Sequence, residues 1–310
     1  RAAVLDGAVA PKAWAGSAGE DLSLSTFLRI GSDLGGTTTL DEVIRRCGAV
    51  DTTACAFSAG SPEATTDKFA TLLDRAKAGL VVDGQLLDDR ALLATVQSQI
   101  YIIEPVPGFG RFPGYAAVAQ FLQEAWQASE QPAATSPAAS PVPSSPAASP
   151  APSSPATSGA AGAQTYVTSG GRQRAVICGE SPNPTSVDAI AAQARVSYQR
   201  AGLNAWPFGA MCQDWIVRAA DSYLGPWDTP TKARVLVIGN VYDPATPYSS
   251  SQAMAAELAN AQLLTVNGFG HTVLLNPSTC AQDYIAAYYL DGSLPPADAR
   301  CDQDQPPFGS

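Results

Sequence analysis

His271 is the only histidine in the 310-residue chain, and it stands in the run Asn267-Gly268-Phe269-Gly270-His271-Thr272. An imidazole exchanges protons near neutral pH more readily than any other side chain, so acid–base chemistry by histidine would have to use this one. Upstream lies Gly239-Asn240-Val241-Tyr242-Asp243-Pro244-Ala245-Thr246-Pro247, which sets a carboxylate on a loop just past an apolar run. A carboxylate that fixes the tautomer of an imidazole, and an imidazole that relays a proton, are two of the three members of a nucleophilic triad. Gly268 and Gly270 would let the histidine loop turn tightly, and Pro244 and Pro247 would stiffen the acid loop. The plainer alternative is an Asp243 that caps a turn beside proline and a His271 that merely occupies a loop.

The surrounding pattern says how such a pair would be positioned. Val235-Leu236-Val237-Ile238 is a continuous apolar run ended by Gly239, as expected of a buried parallel strand. Leu263-Leu264-Thr265-Val266 reads as the next strand, with a helix between them around residues 250–260. Asn276 and Pro277 suit the N-cap and first turn of a further helix running to about Leu290. Strand, helix, strand, helix predicts the edge of an α/β sheet. Asp243 and His271 then fall just past strand carboxyl ends, where open α/β sheets place their sites. Acid before base is the chain order of α/β-hydrolases, in which the nucleophile comes first.

The rest of the chain divides around a spacer. Residues 132–163 are a low-complexity run of Pro, Ala and Ser, too poor in large apolar side chains to build a core and expected to be a disordered linker. Before it, Ala3-Val4-Leu5 reads as a short strand. Three helical stripes follow: Phe69, Leu72, Leu73 and Ala76; Leu92, Leu93, Val96 and Ile100; Val118, Phe121, Leu122 and Ala125. Amphipathic helices without intervening strands suggest a helical cap. After the spacer come the apolar run Ala175-Val176-Ile177-Cys178 and a helix near Val187–Arg200. The expected organisation is a core strand in residues 1–12, cap in 13–131 and 164–230, and C-terminal core in 231–310.

Composition narrows the function. Hydrophobic residues make up 45% and charged residues only 15%, enough apolar material for a substantial core. A formal charge of −10 argues against binding a phosphate backbone, which needs lysine and arginine to neutralise it. No run approaches the roughly 18 apolar residues of a membrane-spanning helix. Six cysteines fall into three sequence-local pairs, Cys47/Cys55, Cys178/Cys212 and Cys280/Cys301. The even count favours disulfides and an oxidising compartment, although sequence alone leaves the pairing open. With no Cys-x-x-Cys and one histidine, a metal site finds little support. The opening residues carry neither an initiator Met nor an apolar leader, so a processed or truncated product is expected.

Several of these motifs together resemble a known family. Tyr242-Asp243-Pro244-Ala245-Thr246-Pro247 is similar to its acid loop, Gly268-Phe269-Gly270-His271 to its histidine loop, and Cys280 through Tyr288-Tyr289-Leu290-Asp291-Gly292-Ser293-Leu294-Pro295-Pro296 to Cys301 to its C-terminal signature. The chain thus resembles secreted tripeptidyl aminopeptidases of actinobacterial type, α/β-hydrolase serine exopeptidases of the prolyl-iminopeptidase-like group. The likeness is strongest over residues 226–302. It implies Asp243 as triad acid, His271 as general base, and Cys280–Cys301 as a disulfide beside the site. It implies a peptide substrate with a free N-terminus, no cofactor, and location outside the cell or at the cell wall.

The departures concern the nucleophile. The family's Gly-x-Ser-x-Gly elbow precedes a strand like Val4-Leu5-Asp6-Gly7, so the serine is expected upstream of Arg1, and the chain alone is expected to be inactive. Ser58 in Ala56-Phe57-Ser58-Ala59-Gly60 mimics an elbow but follows a cysteine-containing loop and precedes Ser61-Pro62, not a helix. Ser181 in Gly179-Glu180-Ser181-Pro182-Asn183 lacks the closing glycine. Asp6 is a rival acid, with a turn role before Gly7 as the alternative. Glu180 is a candidate partner for a substrate ammonium, with helix capping or solvation as its alternative. Trp206, Trp215, Tyr223 and Trp227 could line a cleft, although packing of cap on core is the commoner role for such residues.

Overall fold

The computed structural model describes residues 2–106, 112–130, 170–204 and 211–309. The spacer at 132–163 and Trp206 lie outside the described residues. The chain has an α/β fold, with a mainly helical segment inserted between the first two strands of its sheet.

Strand β1 (Ala3–Asp6) opens the chain. The first cap segment holds α1 (Pro11–Ala15), α2 (Thr26–Arg29), α3 (Ser32–Gly48), α4 (Pro62–Ala76), β2 (Leu80–Val82), β3 (Gln85–Leu87), α5 (Asp89–Gln99) and α6 (Tyr115–Glu130). The second holds α7 (Gly170–Glu180), which contains the run Ala175–Cys178, and α8 (Val187–Ala201). Then β4 (Val235–Tyr242), α9 (Tyr248–Glu257), β5 (Ala261–Phe269), α10 (Thr279–Asp291) and β6 (Arg300–Asp302) complete the sheet layer. The strand order is β1-β4-β5-β6, and every pairing is parallel. Leu236, Val237, Ile238, Leu264 and Val266 are wholly buried, the signature of central strands covered on both faces. Gly239 is required where α9 presses closest, because a Cβ there would sit 2.7 Å from the Cβ of Ser251.

The cap is not free of strands. β2 and β3 form a small antiparallel hairpin whose turn residues, Asp83 and Gly84, have φ of 48° and 75°. Asp-Gly is the preferred pair for such a two-residue turn because both positions need positive φ. That local signal was in the sequence and outweighs the helical reading there. The helical stripes bury Leu72, Ala76, Leu92, Leu93, Val96, Ile100, Val118, Leu122 and Ala125 in one apolar cluster that also takes in Phe269 from the end of β5. Phe269 stacks on Tyr242 at 4.5 Å between ring centroids, so the cap core grips the carboxyl ends of both site-bearing strands.

Two polar clamps join the cap segments across the spacer. Asp33, fully buried at the start of α3, is held bidentately by Arg200 at 2.7 Å and accepts a further bond from Ser197. Thr26 N–H donates to Asn183 and Ser25 N–H to Gln193. Such groups cost several kcal/mol if left unpaired in the interior, so these contacts fix how the segments meet. Disulfides join Cys47 to Cys55, Cys178 to Cys212 and Cys280 to Cys301. The last fastens the edge strand β6 to α10.

Candidate active site

Asp243 follows β4 and His271 follows β5, neighbouring strands whose carboxyl ends open on the same rim. The two side chains meet: His271 Nδ1 lies 3.0 and 3.2 Å from the Asp243 carboxylate oxygens. Asp243 is 2% exposed and the imidazole 27%, so the acid is sealed while the base can reach a ligand. A buried carboxylate is an acceptor, which assigns the Nδ1 proton to the Asp243 side and leaves Nε2 to accept a proton. No hydrogen bond from Nε2 is made among the described residues.

The acid loop is built from its own neighbours. Asp243 Oδ1 accepts the N–H groups of Ala245 at 2.8 Å and Thr246 at 2.9 Å, and Oδ2 accepts the Thr246 hydroxyl at 3.0 Å. Both flanking prolines fix the backbone that makes this wrap possible. From the cap, Ser32 Oγ donates to the Ala245 carbonyl at 2.7 Å, and Gly35 admits Pro247 where a Cβ would come within 2.7 Å of it.

The histidine loop is held from a distance. His271 N–H donates to the Tyr101 carbonyl at 2.8 Å. Asn276 is 2% exposed; it accepts the Ile103 N–H, and its amide nitrogen lies within bonding distance of the carbonyls of Tyr101, His271 and Thr272. This corrects the expectation that Asn276 caps the following helix: Ser278 is the N-cap of α10, accepting from Ala281 N–H. The amide of Asn276 is spent on the loop, where it adds to the His271 N–H on the Tyr101 carbonyl and to its own backbone N–H on the Thr272 carbonyl, and also reaches the His271 carbonyl. Gly270, at φ 82°, is obligatory, since a Cβ would meet the Asn276 amide at about 2.5 Å. Tyr101 packs edge-on against the imidazole at 5.8 Å.

Burial works to lower the basicity of His271. The hydrogen bond and charge of Asp243, helped by the charge of Asp6, outweigh it and hold the imidazole above its ordinary value of 6.5.

His271 faces a cavity of about 760 Å³ whose walls include Trp14, Phe27, Tyr101, Val176, Ile177 and Met211. That size suits a small organic ligand or a short peptide end. No Asp or Glu lines it among the described residues; Arg172 is the charged side chain on its wall. Glu180 is exposed at the end of α7 and is not part of the wall. Trp215, Tyr223 and Trp227 are not on the wall either: Trp215 packs by the Cys178–Cys212 bridge, and Trp227 donates to Ser17 at 3.2 Å. The aromatic walls come instead from Trp14, Phe27 and Tyr101, which lie on α1, α2 and the turn after α5.

The two serines that mimic an elbow are engaged elsewhere. Ser58 donates to the Val50 carbonyl at 2.7 Å, and Ser181 sits in a buried cluster with Thr26, Arg29 and the Trp14 carbonyl. Ser98 reaches the cavity but donates to the Thr95 carbonyl of its own helix. Asp6 does not bond the imidazole; it accepts the N–H groups of Val273 and Leu274.

The chain is similar to known proteins over part of its length. Residues 201–301 match an α/β-hydrolase family model described as TAP-like protein. Over 133 residues, 41% of this chain, it is 33% identical to carboxylesterase B of Mycobacterium tuberculosis, covering 25% of that protein. Over 143 residues, 44% of this chain, it is 29% identical to serine protease Hip1 of the same organism, covering 27% of it. The chain thus spans about a quarter of the length of the curated relatives it matches, and its matched region is that of an α/β-hydrolase.

Proposed function

We propose that this chain supplies the acid and base of a serine hydrolase triad, His271 as general base and Asp243 as the residue that orients it. The single observation that carries the reading is the bonded Asp243–His271 pair on adjacent strand ends, with the acid sealed and the imidazole facing the cavity. The nucleophile is a serine on polypeptide N-terminal to Arg1, and the outer edge of β1, unpaired among the described residues, is where the strands bearing it would join the sheet. Nε2 takes the serine proton as the hydroxyl oxygen attacks the carbonyl carbon, then returns it to the leaving group as the acyl-enzyme forms. Water repeats the sequence to release the acid, and no cofactor enters.

For substrate, the resemblance to tripeptidyl aminopeptidases supports release of short peptides, tripeptides among them, from free N-termini. A second reading, hydrolysis of an ester or other acyl group, is favoured by one feature: among the described residues no carboxylate lines the cavity to pair with a substrate ammonium. The three disulfides support a place outside the cell or at the cell wall.

A polypeptide extended N-terminally through a Gly-x-Ser-x-Gly elbow should react with a fluorophosphonate, and His271→Ala in it should lower kcat by on the order of 10³ or more. The 310-residue chain alone should not be labelled. Near-normal turnover in His271→Ala would end the triad reading; stoichiometric labelling of the chain alone would place the nucleophile within it. Comparing N-terminally blocked with free peptide substrates separates the two substrate classes.

A further inference from the structure

The end of β1 meets the histidine loop in a way that neither the acid–base pair nor the sheet requires. The Asp6 carboxylate accepts Val273 N–H at 3.1 Å through one oxygen and Leu274 N–H at 3.0 Å through the other. Between His271 and these two amides stands Thr272, with φ 67°. A β-branched residue is disfavoured in that region and persists only where its surroundings hold it. Gly7, also at positive φ, completes the seat: a Cβ there would lie 2.8 Å from Thr272 Cγ2 and 3.1 Å from His271 Cε1. The backbone of β1 therefore runs flush against the imidazole while its last side chain grips the turn that follows.

We infer that Asp6 is a positioning residue of the site: its bidentate hold on Val273 and Leu274 N–H keeps Thr272 in its strained conformation and so fixes the His271 ring against Asp243. This rests on the reading of Asp243 and His271 as a working pair. Asp6 is thereby not the triad acid that its place at a strand end suggested. The hold needs two acceptor oxygens 267 and 268 residues away from their donors, which explains why a carboxylate, rather than a turn-forming asparagine, stands there.

The ionisable and charged groups around His271 among the described residues are Asp243 after β4, Asp6 at the end of β1, Tyr101 after α5 and, on the opposite cavity wall, Arg172 of α7. As the only histidine, His271 gives one imidazole signal in the NMR spectrum of the intact chain. In the unmodified chain its Nδ1 proton, shared with Asp243, should appear far downfield. Asp6→Asn keeps the size of the side chain but leaves one acceptor for two donors and removes the charge. It should weaken that proton signal, speed exchange of the Val273 and Leu274 amides, and move the imidazole midpoint down by roughly 0.5 pH. Asp6→Ala should do so more strongly, and Asp6→Asn keeps the test valid if the alanine variant fails to fold. An unchanged downfield proton and midpoint in folded Asp6→Asn would overturn the inference, leaving Asp6 a structural residue only. Absence of the downfield proton in the unmodified chain would instead sink the Asp243–His271 pair itself.

Discussion

The two loops that meet in the site draw in different proportions on near and distant groups. The acid loop closes on itself: the bonds of Asp243 to Ala245 and Thr246 span two and three residues. The histidine loop leans more on groups far away in the chain: Tyr101, whose carbonyl accepts the His271 N–H, lies 170 residues before it, and the bond from the Ile103 N–H to Asn276 Oδ1 spans 173. A local loop keeps its shape with little help, whereas the placement of His271 depends on the cap and on β1 both being docked. The acid should therefore tolerate disturbance of the cap better than the base.

Breaking the distant anchor should have the largest effect. Asn276→Ala strands the Ile103 N–H and the His271 carbonyl, and should cost about 3 kcal/mol in denaturant unfolding, with loss of the single imidazole's hydrogen-bonded proton signal. If stability and that signal both survive, the histidine loop is as self-sufficient as the acid loop and the contrast fails.

Removing the charge that the acid loop presents comes next. The imidazole of the unmodified chain should titrate above 6.5, because Asp243 and Asp6 outweigh burial. A folded-state value above the unfolded one means that His271 contributes stability fully below about pH 6.5, and loses it as pH rises through the folded midpoint. Asp243→Asn leaves burial unopposed by its main partner and should drop the midpoint by on the order of one pH or more. A midpoint that does not move would show that the two groups are not coupled.

The smallest effect belongs to a bond within the acid loop. Thr246→Val removes the hydroxyl on Asp243 Oδ2 but leaves both backbone N–H bonds, so it should cost about 1 kcal/mol in thermal unfolding and barely shift the imidazole midpoint. A cost rivalling that of Asn276→Ala would mean that the acid loop too relies on one side chain.

This contrast also explains what could be read in advance. Val235–Ile238 and Leu263–Val266 were legible as buried strands because their apolar runs are unbroken, and Asp243 was legible because proline and threonine around it make a local turn. The edge strand β6 was not, since Arg300-Cys301-Asp302 is only three residues long with both flanking side chains exposed. Asn276 was misread because asparagine before proline is equally at home as a helix cap, and only the carbonyls packed around it decide between the two. Asp6, next to a glycine, looked like a turn residue for the same reason.

Spacing within a few residues was enough to read the α/β class, the helical stripes of the cap, and an acid and a base in hydrolase order on successive strand ends. It took the folded chain to bring Asp243 against His271, to set Asp6 on a backbone turn instead of the imidazole, and to wall the cavity with Trp14, Phe27 and Tyr101 while Glu180 stays outside it. Those outcomes depend on groups more than twenty residues apart being brought within bonding distance, and such distances are set by packing, not by pattern.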